Sequence, residues 1–223
     1  MRVLIVSATP LEAMGITHDA AGLKAGETFT VDENTELLIS GVGQAISAFH
    51  LGRHLERNKY DLAINIGICG SFNKDIKPGT VIGVESDCFF DLGAEDDKEW
   101  LSIFQMGLLG YDQYPFINGL LIPGETGYFQ QLLKVKGITV NRATGNEDTI
   151  KRILDIYDAE VETMEGASFY YACLQHQLPA IQVRAVSNYI EKRNRDNWQM
   201  EIALTNLHET LSKTLSELNS RDV

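Results

Sequence analysis

Several things are scarce in this sequence, and each scarcity narrows what the protein is. There are only three cysteines, Cys69, Cys88 and Cys173, odd in number and without close spacing. Reduced thiols in a cytoplasmic protein are the simplest account of them. No apolar run reaches the roughly 18–20 residues that a membrane span needs. The opening MRVLIVSATPLEA reads as a first strand, being too short and polar for a secretory signal. Basic residues are outnumbered, 19 Lys and Arg against 31 Asp and Glu, for a formal net charge of −12. That charge repels phosphates and argues against non-specific nucleic-acid binding. Internal repeats and compositional breaks are also missing, so residues 1–223 are expected to form a single domain.

What is present is an ordinary globular balance, 44% hydrophobic and 22% charged, on a chain long enough for a large core. Short Val-, Ile- and Leu-rich runs read as strands at Arg2–Ser7, Phe29–Val31, Glu36–Ser40, Leu62–Gly67, Thr80–Glu85, Ile138–Ala143 and Ala180–Val186. Helices are expected from Pro10, from Gln44 to about Asn58, over Thr149–Ile156 and over Glu165–His176. Ala45, Ala48, Phe49 and Gly52 would form the inward face of the second helix. Leu204, Leu207, Leu211, Leu215 and Leu218 give a closing helix one apolar stripe. Tyr111–Tyr128 reads as a long irregular loop, and the acidic cluster Glu95-Asp96-Asp97 as a solvated one. Strands alternating with helices imply an α/β class with a mixed, mainly parallel sheet between helices.

The chemistry-bearing residues fall just after strands, where ligands bind in open α/β sheets. They are Glu12, Gly41–Gln44, Gly67–Ser71 and Asn188, together with V-E-T-M-E-G-A-S-F at 161–169. Glu162 sits at a strand end. Glu165 sits at a helix start, where the dipole favours a carboxylate and small neighbours let a ligand approach; Met164 adds a soft apolar wall. Gly41-x-Gly43 and Gly67-x-x-Gly70 match neither the dinucleotide fingerprint nor the P-loop. They read as tight turns, and no arginine or lysine lies in the adjoining segments to complete a phosphate site. His50 and His54 lie four apart on a helix without a recognisable third ligand, so no metal is expected. Arg193 and Arg195 form a solvated face or a grip for a substrate carboxylate.

In order, these segments resemble the purine nucleoside phosphorylase and nucleosidase superfamily. The carriers are A-T-P-L-E-A at 8–13, S-G-V-G-Q-A at 40–45, N-I-G-I-C-G-S-F at 65–72, A-T-G at 143–145, V-E-T-M-E-G-A at 161–167 and V-R-A-V-S-N at 183–188. Within it, V-E-T-M-E-G-A-S-F and the stretch from Arg184 to Trp198 are most similar to the futalosine hydrolases. The resemblance implies a three-layer αβα fold, a homodimer or larger homo-oligomer, a small nucleoside substrate and no cofactor. It implies that Met164 and Glu165 hold the ribose and that Glu12 positions and deprotonates the attacking water. Val42, Gly43, Gly67, Ile68 and Ser187 complete the implied substrate contacts. Phosphorylases carry a phosphate-binding arginine near Glu12; a carboxylate there favours hydrolysis. Adenine-specific relatives have an aspartate where Asn188 stands, and an amide suits the O6 and N7 edge of hypoxanthine instead. Their stacking aromatic is absent after A-T-G, which leaves Phe72, Phe90 or Tyr189 for that task. Rival assignments are a methylthioadenosine nucleosidase, an inosine-type phosphorylase and a non-catalytic nucleoside-binding protein.

Overall fold

The computed structural model describes residues 1–220. Its elements are β1 (Val3–Ser7), α1 (Pro10–Ala13), β2 (Thr28–Thr30), β3 (Thr35–Ile39), α2 (Gln44–Leu55), β4 (Leu62–Ser71), β5 (Val81–Ser86), β6 (Gly93–Asp96), β7 (Glu99–Ser102), β8 (Leu133–Thr139), α3 (Glu147–Ile156), β9 (Val161–Thr163), α4 (Gly166–Gln175), β10 (Ala180–Tyr189) and α5 (Met200–Ser220).

Strand side chains alternate between two faces, and here both faces are buried. Leu4 and Val6 of β1 enter one apolar cluster, Val3 and Ile5 the other. Ala63 of β4 faces the first cluster and Leu62, Ile64 and Ile66 the second. Leu51 and Leu55 of α2 and Phe169 and Tyr170 of α4 close the first. Ala13 of α1 and Ala203, Leu207 and Leu211 of α5 close the second. The sheet therefore lies between two helical layers, an αβα sandwich.

Eight strands run in the order β10-β5-β8-β9-β4-β1-β3-β2, and β10 also pairs with β4. Pairing is parallel for β1 with β3 and β4, β4 with β10, and β8 with β5 and β9. It is antiparallel for β2 with β3, β5 with β10 and β4 with β9. The sheet is mixed and mainly parallel, and the extra pairing closes β4, β10, β5, β8 and β9 into a ring.

Four local expectations are corrected. β4 and β10 continue beyond Gly67 and Val186, because their far ends pair with each other: Asn188 lies opposite Gly70 and Tyr189 opposite Ser71, after a register shift between Val186 and Asn188. The strand expected at 138–143 lies instead at Leu133–Thr139. Lys134 and Lys136 disguise it, since the first half of that strand keeps an exposed face. Glu95 and Asp96 belong to β6, which pairs with β7, and Asp97 turns the hairpin at φ 52°. On α2 the buried residues are Ser47, Leu51 and Leu55, while Phe49 is 61% exposed. Two leucines remove more apolar surface from water than the small face would.

Candidate active site

Glu12 is placed by the turn that leaves β1. Pro10 presets the first helical φ of α1, and Glu12 follows two residues on. Its Oε2 accepts from Thr9 N at 3.0 Å and Thr9 Oγ1 at 2.8 Å, and its Oε1 accepts from Ile68 N at 3.1 Å. Three donors fix a carboxylate that is 7% exposed. On its backbone side, the Glu12 carbonyl lies 2.8 Å from His208 Nε2 of α5.

Glu165 is the N-cap residue of α4 and is 6% exposed. Its Oε1 accepts from Gly43 N at 2.8 Å, across the chain. Gly43 adopts φ +90°, which only glycine takes up without strain. Burial pushes the Glu165 carboxyl up, while the Arg184 cation and the Gly43 N–H act the other way. Glu162, three residues earlier on β9, accepts from the backbone N–H and hydroxyl of Thr144. It too is pushed up by burial, against those two hydrogen bonds.

Beside Glu12 lies a charged residue of the V-R-A-V-S-N segment to which the sequence attaches no role. Arg184, on β10, is 1% exposed. A Cβ on Gly67 would fall 2.4 Å from Arg184 Nη1 and 2.6 Å from Glu12 Oε1. Gly67 is therefore bare because a guanidinium and a carboxylate both crowd the space its side chain would need. The neighbouring segments hold no arginine or lysine, and this cation arrives from a distant strand. A charged residue inside an apolar strand, two positions after Gln182, was the available signal.

At the other end of the site, Asn188 Oδ1 accepts from Ser187 Oγ at 2.7 Å and Nδ2 donates to the Tyr189 carbonyl at 2.9 Å. The amide is thereby oriented, with one N–H and one lone pair left for a ligand. Tyr189 donates its hydroxyl to the Lys74 carbonyl at 3.1 Å, and the Lys74 ammonium lies 4.3 Å from its ring centre.

These groups share one cavity of about 330 Å³, in whose walls stand Glu12, Val42, Ile68, Met164, Glu165, Ser187, Asn188 and Tyr189. Gly43 and Gly67 support it from behind. Phe72 and Phe90 are not brought to it: both pack in a separate cluster around Cys88, Ile138 and Ile153. Their place at the mouth is taken by Trp198, which with Arg193 lines the cavity, the Arg193 guanidinium 5.6 Å from the Trp198 ring. Arg142 lines a second, larger cavity of about 680 Å³, together with Phe90, Trp100 and Tyr157. His54 Nε2 lies 2.7 Å from the Tyr60 hydroxyl. No group of three His, Cys, Asp or Glu side chains among the described residues is placed to hold a metal. No helix among them is long and apolar enough to cross a membrane.

Known proteins resemble this chain along most of its length. A futalosine hydrolase of Thermus thermophilus is 28% identical over 184 residues, 81% of this chain and 80% of the relative. One from Streptomyces coelicolor is 25% identical, over 99% of this chain and 97% of the relative. The crystal structure of the 5'-methylthioadenosine/S-adenosylhomocysteine nucleosidase of Neisseria meningitidis, in complex with methylthio-immucillin-A, superposes with a TM-score of 0.76 at 16% identity, covering 97% of this chain and 99% of that one. The family model described as the Phosphorylase superfamily matches residues 3–216, and the chain belongs to that family.

Proposed function

We propose that this chain hydrolyses the N-glycosidic bond of a purine riboside and that futalosine is its substrate, with hypoxanthine as the released base. The observation that carries the proposal is the convergence of two buried acids, Glu12 and Glu165, on one cavity whose far end holds the oriented amide of Asn188. Glu165 accepts hydrogen bonds from the ribose hydroxyls and faces the positive charge that develops as the C1′–N9 bond breaks. Met164 packs against the sugar. Glu12 orients a water and takes its proton, a contribution of about 10²–10⁴-fold. The spare N–H and lone pair of Asn188 meet O6 and the protonated N7 of the leaving base. Tyr189 and Trp198 are the aromatic walls, and Arg193 is the cation for the carboxyphenyl end of futalosine.

Water is favoured over phosphate because Glu12 and Glu165 both stand in the cavity wall, so an incoming phosphate meets two carboxylates. Futalosine cleavage would place the protein on the cytoplasmic menaquinone route that runs through futalosine. Residues 1–223 serve as one catalytic domain. On α2 and the turn before it, Val42, Ile46 and Phe49 are 46%, 49% and 61% exposed. We assign this apolar face to a second copy of the chain; light scattering that finds a monomer at micromolar concentration would remove that assignment.

The rival with an observation behind it is methylthioadenosine hydrolysis, since such a nucleosidase shares the fold. Futalosine, inosine and methylthioadenosine should be offered with and without phosphate, and the freed base identified. Hypoxanthine from futalosine without phosphate is expected. Adenine from methylthioadenosine as the faster product would transfer the assignment to the rival.

A further inference from the structure

Behind the cavity, on the far side of the segment that carries Met164 and Glu165, runs a buried chain of polar groups that the chemistry above leaves unused. Arg184 Nη2 donates to Asn65 Oδ1 and, at 3.4 Å, to Gln182 Oε1. Asn65 is itself held by its donation to the Val6 carbonyl at 3.0 Å. Gln182 Nε2 donates to Asp87 Oδ2 at 3.0 Å. Asp87 Oδ1 accepts from Thr139 Oγ1 and from Cys88 N, each at 2.8 Å. Thr139 Oγ1 accepts in turn from Ala167 N at 2.7 Å, in the first turn of α4. Asp87 and Gln182 are both 0% exposed. A Cβ on Gly166 would lie 2.2 Å from Asp87 Oδ2 and 2.4 Å from Gln182 Oε1, so the backbone of the sugar-binding segment rests on this chain.

A buried carboxylate and a buried guanidinium ordinarily meet directly. Here an amide stands between them, and an amide has a direction: its N–H end suits the carboxylate and its C=O end the cation. Asp87 therefore sets which way Gln182 points, and Gln182 with Asn65 engages Nη2. Nη1 is left against Gly67, beside Glu12. We propose that Asp87 and Gln182 are positioning residues, which hold the Arg184 guanidinium beside Glu12 and so set turnover more than substrate affinity. This rests on the hydrolytic function proposed above. Misplacement of a reacting arrangement by about 1 Å can cost about 10²-fold.

The test compares Asp87→Asn, Gln182→Glu and the two together. Asp87→Asn turns an acceptor into a donor that faces Gln182 Nε2, so the Gln182 amide must turn over and present N–H to Arg184. Gln182→Glu sets two carboxylates against each other. The exchanged pair again places a donor at position 87 against an acceptor at 182, with an acceptor left for Arg184. With futalosine, kcat per folded molecule should fall about 10- to 100-fold in each single variant with KM within about threefold. It should recover at least about fivefold in the exchanged pair. Single variants that melt earlier but turn over normally per folded molecule would overturn the positioning role.

Should the wild type release no base, hydrolysis itself is excluded, and NMR of the guanidinium decides the rest. Arg184 is the only arginine buried among the described residues. Its slowly exchanging N–H signal should be lost in Asp87→Asn and return in the exchanged pair. An unchanged signal in Asp87→Asn would overturn the proposal.

Discussion

The two cavities differ in a way that volume does not reveal. The larger, about 680 Å³, sits between the β6–β7 hairpin, the irregular 104–119 stretch and α3, and its inner wall is aromatic. Phe90 meets Trp100 and Tyr157 edge-on, each with centroids 5.4 Å apart, and Arg152 lies 4.7 Å from the Trp100 ring. Those contacts pack ring against ring and cation against ring, while the buried Trp100 Nε1 has no hydrogen-bond partner among the described residues. The smaller cavity, about 330 Å³, lies where β1, β4, β9 and β10 end, and it gathers charges that are dry and only partly compensated. Burying charge is expensive, so a fold that does so at strand ends keeps those groups for a ligand. Convergence, not size, marks the site.

The largest effect should come from the acids. Glu165→Gln and Glu12→Gln are each expected to lower kcat on futalosine about 10²–10⁴-fold, whereas Arg142→Ala, in the larger cavity, should leave kcat/KM within about threefold of wild type. Steady-state base release measures both, and a severe defect in Arg142→Ala would erase the contrast. Next comes Gly67→Ala. The added methyl would press on Arg184 and Glu12 together, so turnover should drop about 10- to 100-fold, with a loss of roughly 1–3 kcal/mol in stability from overpacking. Normal turnover would show that the two side chains have room to part.

The smallest effect is on stability against pH. Burial pushes Asp87 up from 3.8 to about 6, and Glu162 and Glu165 move in the same direction. The folded protein then binds more protons than the unfolded chain, so the contribution of these groups is greatest at low pH. It declines as pH rises from about 4 to about 6. Asp87→Asn removes its own share of that decline. Relative to wild type, the variant should gain roughly 2–3 kcal/mol across this interval, measured by denaturant unfolding at each pH. A difference that stays constant with pH would show Asp87 to be uncoupled from folding.

Much of this arrangement is legible in the sequence, for a physical reason. Glu12 and Glu165 sit beside a proline, a glycine and helix starts, which carry local conformational signals, and Asn188 follows a mostly apolar run. The layered αβα order likewise follows from alternating apolar runs. What is not legible depends on pairing between distant segments. Arg184, Gln182 and Asn65 look like interruptions of good strands, and only the β4–β10 register turns them inward as one polar layer. The ring closure that lengthens those strands has no local signature either. The inward face of α2 was obscured because small residues and leucines both offer apolar stripes, and the packing partner α4 decides between them.

The most direct test is to titrate futalosine into Glu12→Gln while following base release. If two acids and one amide serve a single sugar-and-base site, the variant should bind futalosine about as tightly as the wild-type KM suggests and yet release hypoxanthine at about 1% of the wild-type rate or less. Release at a rate close to wild type, or no binding by either protein, would contradict it.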